Sequence, residues 1–477
     1  MRKLLISTAL CAIAACATNP ATGKRQVILM SEQEEISLGK QSDADVRKEM
    51  GVYEDANIQR YVDRVGQRLA KASHRPNLPW TFTVVDATAV NAFALPGGYI
   101  YITRGILPFL RNEAELAAVL GHEVGHVDAR HSASAYSKQV LAGGSLAVIG
   151  VLAPETQPFT GLAGVGLQFV MLKNSREAEL EADTLGVGYA ATSGWAPEAM
   201  PGLLSTLGRL DAASGSSRGV PNWLTTHPQA SDRITKVQQA VAAARTSGAT
   251  TTNRPDFERA IDGLVFGDSR AQGMVRGNEF VHPELRFAVK FPQGWEIVNS
   301  AEQVSARETE NGNVAMVLQL ATTAGSSVEQ TANAGMTKAG FTEASGRRTE
   351  INGLTAYVGR YDGVVSNTRL SARAAHIRND NQTYLLAGIA TPTEFSRVDR
   401  TFTASIESFR AMSRSEADRI QPNRVDFYTV RAGDTWDSIA RGPAGGAAKA
   451  STLAIMNGVT PETPPRAGER VRIIVGQ

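Results

Sequence analysis

Cysteine is nearly missing from this sequence: among 477 residues only Cys11 and Cys16 carry a thiol, both near the start. With no thiol beyond Cys16, the rest of the chain forms no disulfide framework and is held together by packing. An excess of charge of one sign is also lacking. Lys and Arg total 49 against 47 Asp and Glu, and no block of like charge exceeds a few residues. That balance excludes the basic footprint of a nucleic-acid binder. Long apolar runs are absent as well. Val140 to Ala153 and Phe159 to Leu172 are apolar and glycine-punctuated, but each is shorter than the roughly 18 residues a membrane-spanning helix needs. They form either a helical lid near a site or a buried pair of core helices. What remains, 42% hydrophobic and 20% charged, is ordinary globular composition with a length for about three domains.

The first segment has the layout of a targeting signal: Arg2 and Lys3, the apolar Leu4 to Leu10, then small residues to Cys16. Ile13-Ala14-Ala15-Cys16 resembles a bacterial lipobox, which implies lipidation at Cys16. Ala17 stands where an aspartate would signal inner-membrane retention, so the resemblance implies the periplasmic face of the outer membrane. The alternative is an ordinary signal peptide with an incidental cysteine.

The chemistry is concentrated in His122-Glu123-Val124-Gly125-His126. Residues four apart lie one turn above each other on a helix, so the two imidazoles can hold one zinc ion while Glu123 serves as general base. Asn112 and Glu115 form a capping signal, and Glu113 to Ala135 is rich in helix formers and free of proline. On one continuous helix His131 is turned well away from the ligand face, as a structural or solvated histidine. Ala129 and Ser132 replace the Gly and His that a metzincin requires.

Upstream, Ser31 to about Ser73 is helically patterned, with the stripe Ile58, Tyr61, Val62, Val65, Leu69. Thr81 to Val85 and Tyr99 to Thr103 read as strands, with a turn at Asn91 to Gly98. If the second strand lies at a sheet edge, Gly98, Tyr99, Ile100 and Tyr101 are the expected substrate-binding residues, pairing with an extended peptide. A plain interior strand is the alternative.

A catalytic zinc takes three protein ligands and leaves one position for water. Asn174 or Ser175 caps a helix on which Glu179 and Asp183 share a face with the small Ala182, Gly186 and Ala190. Such a face allows close approach to a second helix. Glu179 is the expected third ligand, and Asp183 the carboxylate that accepts the free N–H of a ligating histidine.

Together, AFALPGGYIYITRG, the HExxH helix and SREAELEAD resemble the gluzincin metallopeptidases of the CAAX prenyl protease type, in the bacterial periplasmic lipoprotein branch. The likeness runs from about Ala21 to Ala244. It implies one zinc per chain on His122, His126 and Glu179, with Glu123 catalytic and Asp183 behind the ligands. It also implies functional roles for His227, in Thr226-His227-Pro228, and for Arg233. The histidine is expected near the metal, in transition-state contact or in a latent, plugged state, and either residue is a candidate oxyanion donor.

Beyond a linker-like stretch, Phe287 to Phe291, Val314 to Leu320, Leu354 to Tyr361 and Tyr384 to Ile389 read as strands, with helices at Val328 to Ala339 and Thr393 to Phe409. HPELRFAVKFPQGW loosely resembles the PsbP-like fold. From Phe427 the tail resembles a LysM module, which implies peptidoglycan as partner; the alternative is a small module that packs on its neighbour and binds nothing.

The expected fold is multi-domain α+β: a mainly helical zincin domain with a small sheet, an α+β sheet domain and a small βααβ module. The expected boundaries are 1–16 signal peptide, 17–248 peptidase, 249–278 linker, 279–412 α+β domain, 413–426 linker and 427–477 LysM-like module. The expected function is zinc-dependent hydrolysis of unfolded or misassembled envelope proteins. The alternative is a chaperone-like or peptidoglycan-anchoring lipoprotein with a latent metal site.

Overall fold

The computed structural model describes residues 16–141, 174–214, 223–228, 233–300, 303–309, 314–321, 327–365 and 367–476. The expected signal peptide before Cys16, the Cys16 side chain and nearly all of the two apolar runs lie outside the described residues. The chain forms two compact units, one from the residues up to Gly267 together with Asn423–Gly476, the other from Asp268–Pro422.

The first unit opens with an antiparallel pair, β1 (Cys16–Thr18) and β2 (Arg25–Val27). Ser31 and Glu34 form a capping box at α1 (Glu32–Met50), and Asp55 caps α2 (Ala56–Ala72). The expected helical stretch is therefore two helices, parted after Gly51, whose φ of 70° an L side chain rarely adopts. The α2 stripe, Ile58 to Leu69, is buried as its spacing demands.

Next come β3 (Thr81–Val85), β4 (Ala92–Leu95) and β5 (Tyr99–Thr103), in the spatial order β3-β5-β4. β5 lies in the middle, parallel to β3 and antiparallel to β4. This corrects the substrate-binding assignment: both backbone edges of Tyr99, Ile100 and Tyr101 are already paired, and Ile100 and Tyr101 are buried. The turn is confined to the residues around Gly97 and Gly98, and Ala92–Leu95, expected within it, is a strand. The outer side of β3 is closed by Tyr53 N–H donating to Val84 O (3.0 Å) and by the Gln59 amide bonding Val84 N–H and O. β4 therefore carries the open edge among the described residues.

The central helix, α3 (Glu113–Asp128), starts where Asn112 accepts from Glu115 N–H at 3.0 Å, and every residue in it is buried. It is shorter than its composition suggests. Arg130 adopts φ 56°, and a new helix, α4 (His131–Leu141), begins at once. A left-handed non-glycine residue costs about 1–2 kcal/mol. The Arg130 guanidinium offsets this by bonding Glu35 and the Met30 carbonyl, each at 2.9 Å.

α5 (Arg176–Thr192) is capped by Ser175 and crosses α3 at very close range. A Cβ added at Gly186 would lie 2.7 Å from His122 N, and one at Gly125 would lie 2.9 Å from Ala182 O. Glycine at these crossings is what lets the two backbones meet. The unit continues with α6 (Ala199–Ser214), the single turn α7 (Trp223–Thr226) and α8 (Arg233–Ala244). Then α9 (Arg254–Ile261) and β6 (Val265–Phe266) occupy the stretch that composition marks as a linker.

In the second unit, β7 (Met274–Arg276), β8 (Glu279–His282) and β9 (Phe287–Lys290) form one antiparallel sheet, completed later in the chain. A larger antiparallel sheet follows: β10 (Glu296–Asn299), β11 (Gln303–Arg307), β12 (Ala315–Leu320), β13 (Phe341–Ile351), β14 (Leu354–Val365), β15 (Thr368–Asn379) and β16 (Gln382–Ala390). Its order is β10-β11-β12-β16-β15-β14-β13. α10 (Val328–Lys338) packs on β13 to β15 and α11 (Pro392–Glu407) on β15 and β16, close to the expected helices. β17 (Arg410–Ala411) pairs with β9, and α12 (Arg414–Arg419) lies in the second expected linker.

The chain then rejoins the first unit. β18 (Asn423–Thr429), α13 (Trp436–Arg441), α14 (Ala450–Met456) and β19 (Arg470–Val475) run in the strand, helix, helix, strand order expected of the tail. β18 pairs with β19 on one side and with β6 on the other. Trp436, Leu453, Ile455 and Val471 share one hydrophobic core with Leu116 and Phe257. Arg472 is wholly enclosed. An unpaired polar group there would cost several kcal/mol; Nη1 and Nη2 donate to the carbonyls of Pro108, Leu110, Arg111 and Met456, while Nε has no hydrogen-bond partner among the described residues.

Candidate metal centre

The 3.6-residue period of α3 sets His122 and His126 one above the other, with their Nε2 atoms 3.0 Å apart. The close crossing of α5 brings Glu179 over them: its carboxylate oxygens lie 3.5 Å from His122 Nε2 and 3.3 Å from His126 Nε2. The segment after α7 adds His227. Its backbone N–H donates to Trp223 O (2.7 Å), its ring stacks on Trp223 (4.2 Å between centroids), and Trp223 N–H is tied to Val90 O (2.8 Å). His227 Nδ1 lies 3.1 Å from Glu179 Oε1 and 3.2 Å from His122 Nε2.

Ligand atoms of His122, His126, Glu179 and His227 thus all lie within 4.8 Å of one another, and all four residues are buried. Three imidazole nitrogens and a carboxylate suit zinc. A tetrahedron with bonds of about 2.0–2.1 Å has edges of roughly 3.3–3.4 Å, close to the separations here. Lone pairs converging this tightly in a dry interior repel unless a proton or a cation lies between them. The residues present therefore fit the ion.

Behind the ligands, His122 Nδ1 faces Asp183 Oδ1 at 2.8 Å. Arg233, at the start of α8, holds Asp183 through Nε (2.6 Å) and Nη2 (2.9 Å), and reaches Glu179 Oε2 (3.1 Å) and His227 O (3.1 Å) through Nη1. With its donors so engaged, Arg233 braces Asp183 and Glu179 instead of pointing to a substrate oxyanion. Glu123 is buried beside the set, with Oε1 3.6 Å from His227 Nε2.

Burial disfavours charge throughout this site. It pushes the Glu123 carboxyl up and the His126 imidazole well down. It also opposes ionisation of Glu179 and Asp183, yet the surrounding His227, His122 and His126 hold Glu179 well below the usual carboxylate range, and His122 and Arg233 hold Asp183 down. His122 resists its own burial because Asp183 and Glu179 lift it to about 9.

Helical spacing brings His122, Glu123 and His126 together, and small-residue spacing brings in Glu179 and Asp183. His227 lies in the same cluster. The expected placement of His131 changes. His131 is not rotated away: the break at Arg130 turns it back, and its Nδ1 lies 2.8 Å from His126 Nδ1. Trp223 gives no motif signal in the sequence.

Residues 56–241 match the model of Peptidase family M48, and the chain carries a metallopeptidase domain of that family. The Mitochondrial metalloendopeptidase OMA1 of Arabidopsis thaliana is 32% identical over 214 residues, 44% of this chain and 42% of its own. The OMA1 of Schizosaccharomyces pombe is 35% identical over 198 residues, 40% and 55% respectively. The Beta-barrel assembly-enhancing protease of Escherichia coli (strain K12) is 30% identical over 226 residues, 46% of each chain. The chain spans about half the length of these relatives. Among solved structures, the cyanobacterial PsbP of Synechocystis sp. PCC 6803 aligns with 29% of this chain at 12% identity and a TM-score of 0.23, too slight a likeness to assign a fold.

Proposed function

We propose that this chain, a metallopeptidase by its family M48 domain, is a zinc-dependent endopeptidase of the bacterial cell envelope. The observation that carries the proposal is the convergence of His122, His126 and Glu179 beside the buried Glu123. The relatives named Beta-barrel assembly-enhancing protease support an envelope setting; unfolded or misassembled envelope proteins are the proposed substrates. Cys16 is the proposed lipid anchor to the outer membrane. Peptidoglycan is the proposed partner of residues 427–477.

His122, His126 and Glu179 would hold one zinc, which when bound polarises a peptide carbonyl and acidifies the attacking water. Glu123 accepts the proton of that water and delivers it to the leaving amine; its burial pushes the carboxyl up. Asp183, 2.8 Å from His122 Nδ1, favours a proton on that nitrogen and so keeps Nε2 free to bind. Arg233 positions both carboxylates. The open edge of β4, antiparallel to β5 and packed near α3, replaces β5 as the proposed backbone partner of an extended substrate.

A second reading rests on His227. With its Nδ1 inside the ligand set, this conformation is a latent one, and His227 must swing away before a substrate carbonyl approaches. The test uses the chain from Ala17 onward and its Glu123→Gln variant, measuring zinc content and cleavage of an unfolded protein. Stoichiometric zinc in both with cleavage only by the parent supports the peptidase. Absence of zinc from both overturns the site.

A further inference from the structure

The two ligating histidines on α3 are supported in different ways. His122 has a carboxylate, Asp183, directly behind it, whereas His126 has a second imidazole. We propose that His131 and Glu181 are positioning residues that hold His126 in its metal-binding tautomer, and that Asn19 on the N-terminal hairpin fastens this relay. The proposal rests on the metal reading above and adds a dependence of that site on the first turn of the described chain.

The tautomers follow from the metal reading and the geometry together. His126 Nε2 faces His122 Nε2 and Glu179, so on a zinc held by these groups it is the unprotonated nitrogen of a neutral ring. The ring proton therefore sits on Nδ1 and is donated to His131 Nδ1 at 2.8 Å. His131 is then the acceptor at Nδ1 and carries its own proton on Nε2, which faces Glu181 Oε2 at 4.0 Å, too far for a direct hydrogen bond. Glu181 Oε1 accepts from Asn19 Nδ2 at 2.8 Å. The orientation of that amide is set independently, because Asn19 Oδ1 accepts from the N–H groups of Ala21 (2.9 Å) and Thr22 (3.2 Å), leaving the NH2 to face Glu181.

His126, His131 and Asn19 are all buried, so these contacts lie largely in the protein interior. Lys24 Nζ, 3.9 Å from Glu181 Oε2, adds a second contact from the same hairpin. Gln26 Nε2 donates to Ala129 O at 3.1 Å, docking β2 at the end of α3 just before the break that turns His131 inward.

Zinc affinity of the full chain, by competition with a chromophoric chelator, tests the proposal against His131→Leu, His131→Asn and Asn19→Leu. Groups that orient metal-bound imidazoles typically contribute about 10- to 100-fold in affinity. His131→Leu is expected to lose that much. His131→Asn, whose Oδ1 can stand where Nδ1 accepts, is expected to recover most of it. Asn19→Leu is expected to weaken zinc in the same direction by a smaller factor, and it stays informative should His131→Leu fail to fold, since Asn19 lies outside the helix pair. The proposal is overturned if the His131→Asn protein binds as poorly as His131→Leu, or if Asn19→Leu and His131→Leu both match the parent. A parent chain that takes up no zinc removes the metal reading itself, an outcome separate from a failure of the variants.

Discussion

Arg233 grips Asp183 with two hydrogen bonds of 2.6 and 2.9 Å in a fully buried site, so a charge on α5 is met by a residue three helices later as well as by His122. Removing one partner of such a buried pair leaves the other charge uncompensated, at a cost of about 3–5 kcal/mol. Arg233→Ala is expected to lower the urea midpoint of unfolding accordingly, and Arg233→Lys to restore part of it, since lysine keeps the charge but not the two-pronged geometry.

The crossing of α3 and α5 leaves no room for a methyl group. In Gly186→Ala the new Cβ would meet His122 N at 2.7 Å and Gly121 C at 2.8 Å, both backbone atoms that cannot rotate aside. Overpacking of this kind costs about 1–3 kcal/mol. Because the helices must part to relieve it, zinc content is expected to fall by more than the loss of stability alone would cause, as metal analysis at a temperature well below unfolding will show.

His227→Ala opens the fourth ligand position. If the described conformation is latent, the variant retains zinc on His122, His126 and Glu179 and cleaves an unfolded protein faster than the parent. A variant with zinc retained but cleavage reduced would instead assign His227 to the reaction itself. Initial rates at equal zinc loading decide between them.

Arg472→Met leaves the Pro108, Leu110, Arg111 and Met456 carbonyls without their common donor. At about 1–3 kcal/mol per buried unsatisfied group, a loss on the order of 3 kcal/mol is expected in the first unit. Deleting everything after Pro422 is expected to abolish soluble expression of the peptidase part, because Leu116 and Phe257 lose neighbours in a shared core. A truncated chain as stable as the parent would contradict this.

The second unit has a pH dependence of its own. Burial pushes His282 and His376 down to about 4, below the usual value near 6.5. Below pH 6.5 the unfolded chain binds protons that the folded unit refuses, so stability present above that pH is lost as pH falls towards 4, by on the order of 2 kcal/mol per histidine at pH 5. His376→Leu should show a smaller drop in urea midpoint between pH 7 and pH 5 than the parent does.

The legible parts of this protein share one property: their geometry is local. His122, Glu123 and His126 are placed by a single helical period, Ser175 caps α5 by bonding within its own first turn, and the strands and helices of the second unit lie close to where alternation and propensity put them. Even Glu179 and Asp183 could be singled out, because a run of small residues on their face implies a helix crossing. β4 was not legible. Four residues with two alanines have little intrinsic preference for a strand, and pairing with β5 makes them one.

The sequence by itself determined the chemistry, since the residues able to bind a metal and move a proton stand at spacings that a regular helix converts directly into a shared face. Tertiary structure alone decided the arrangement. One left-handed residue, Arg130, reverses the direction of His131, and the position of β5 between two neighbours passes the open edge to β4. Arg472 draws the last strand into the core of the first unit. Each of these depends on contacts between segments far apart in the chain, and no local periodicity encodes which distant carbonyl, strand or ring will be waiting.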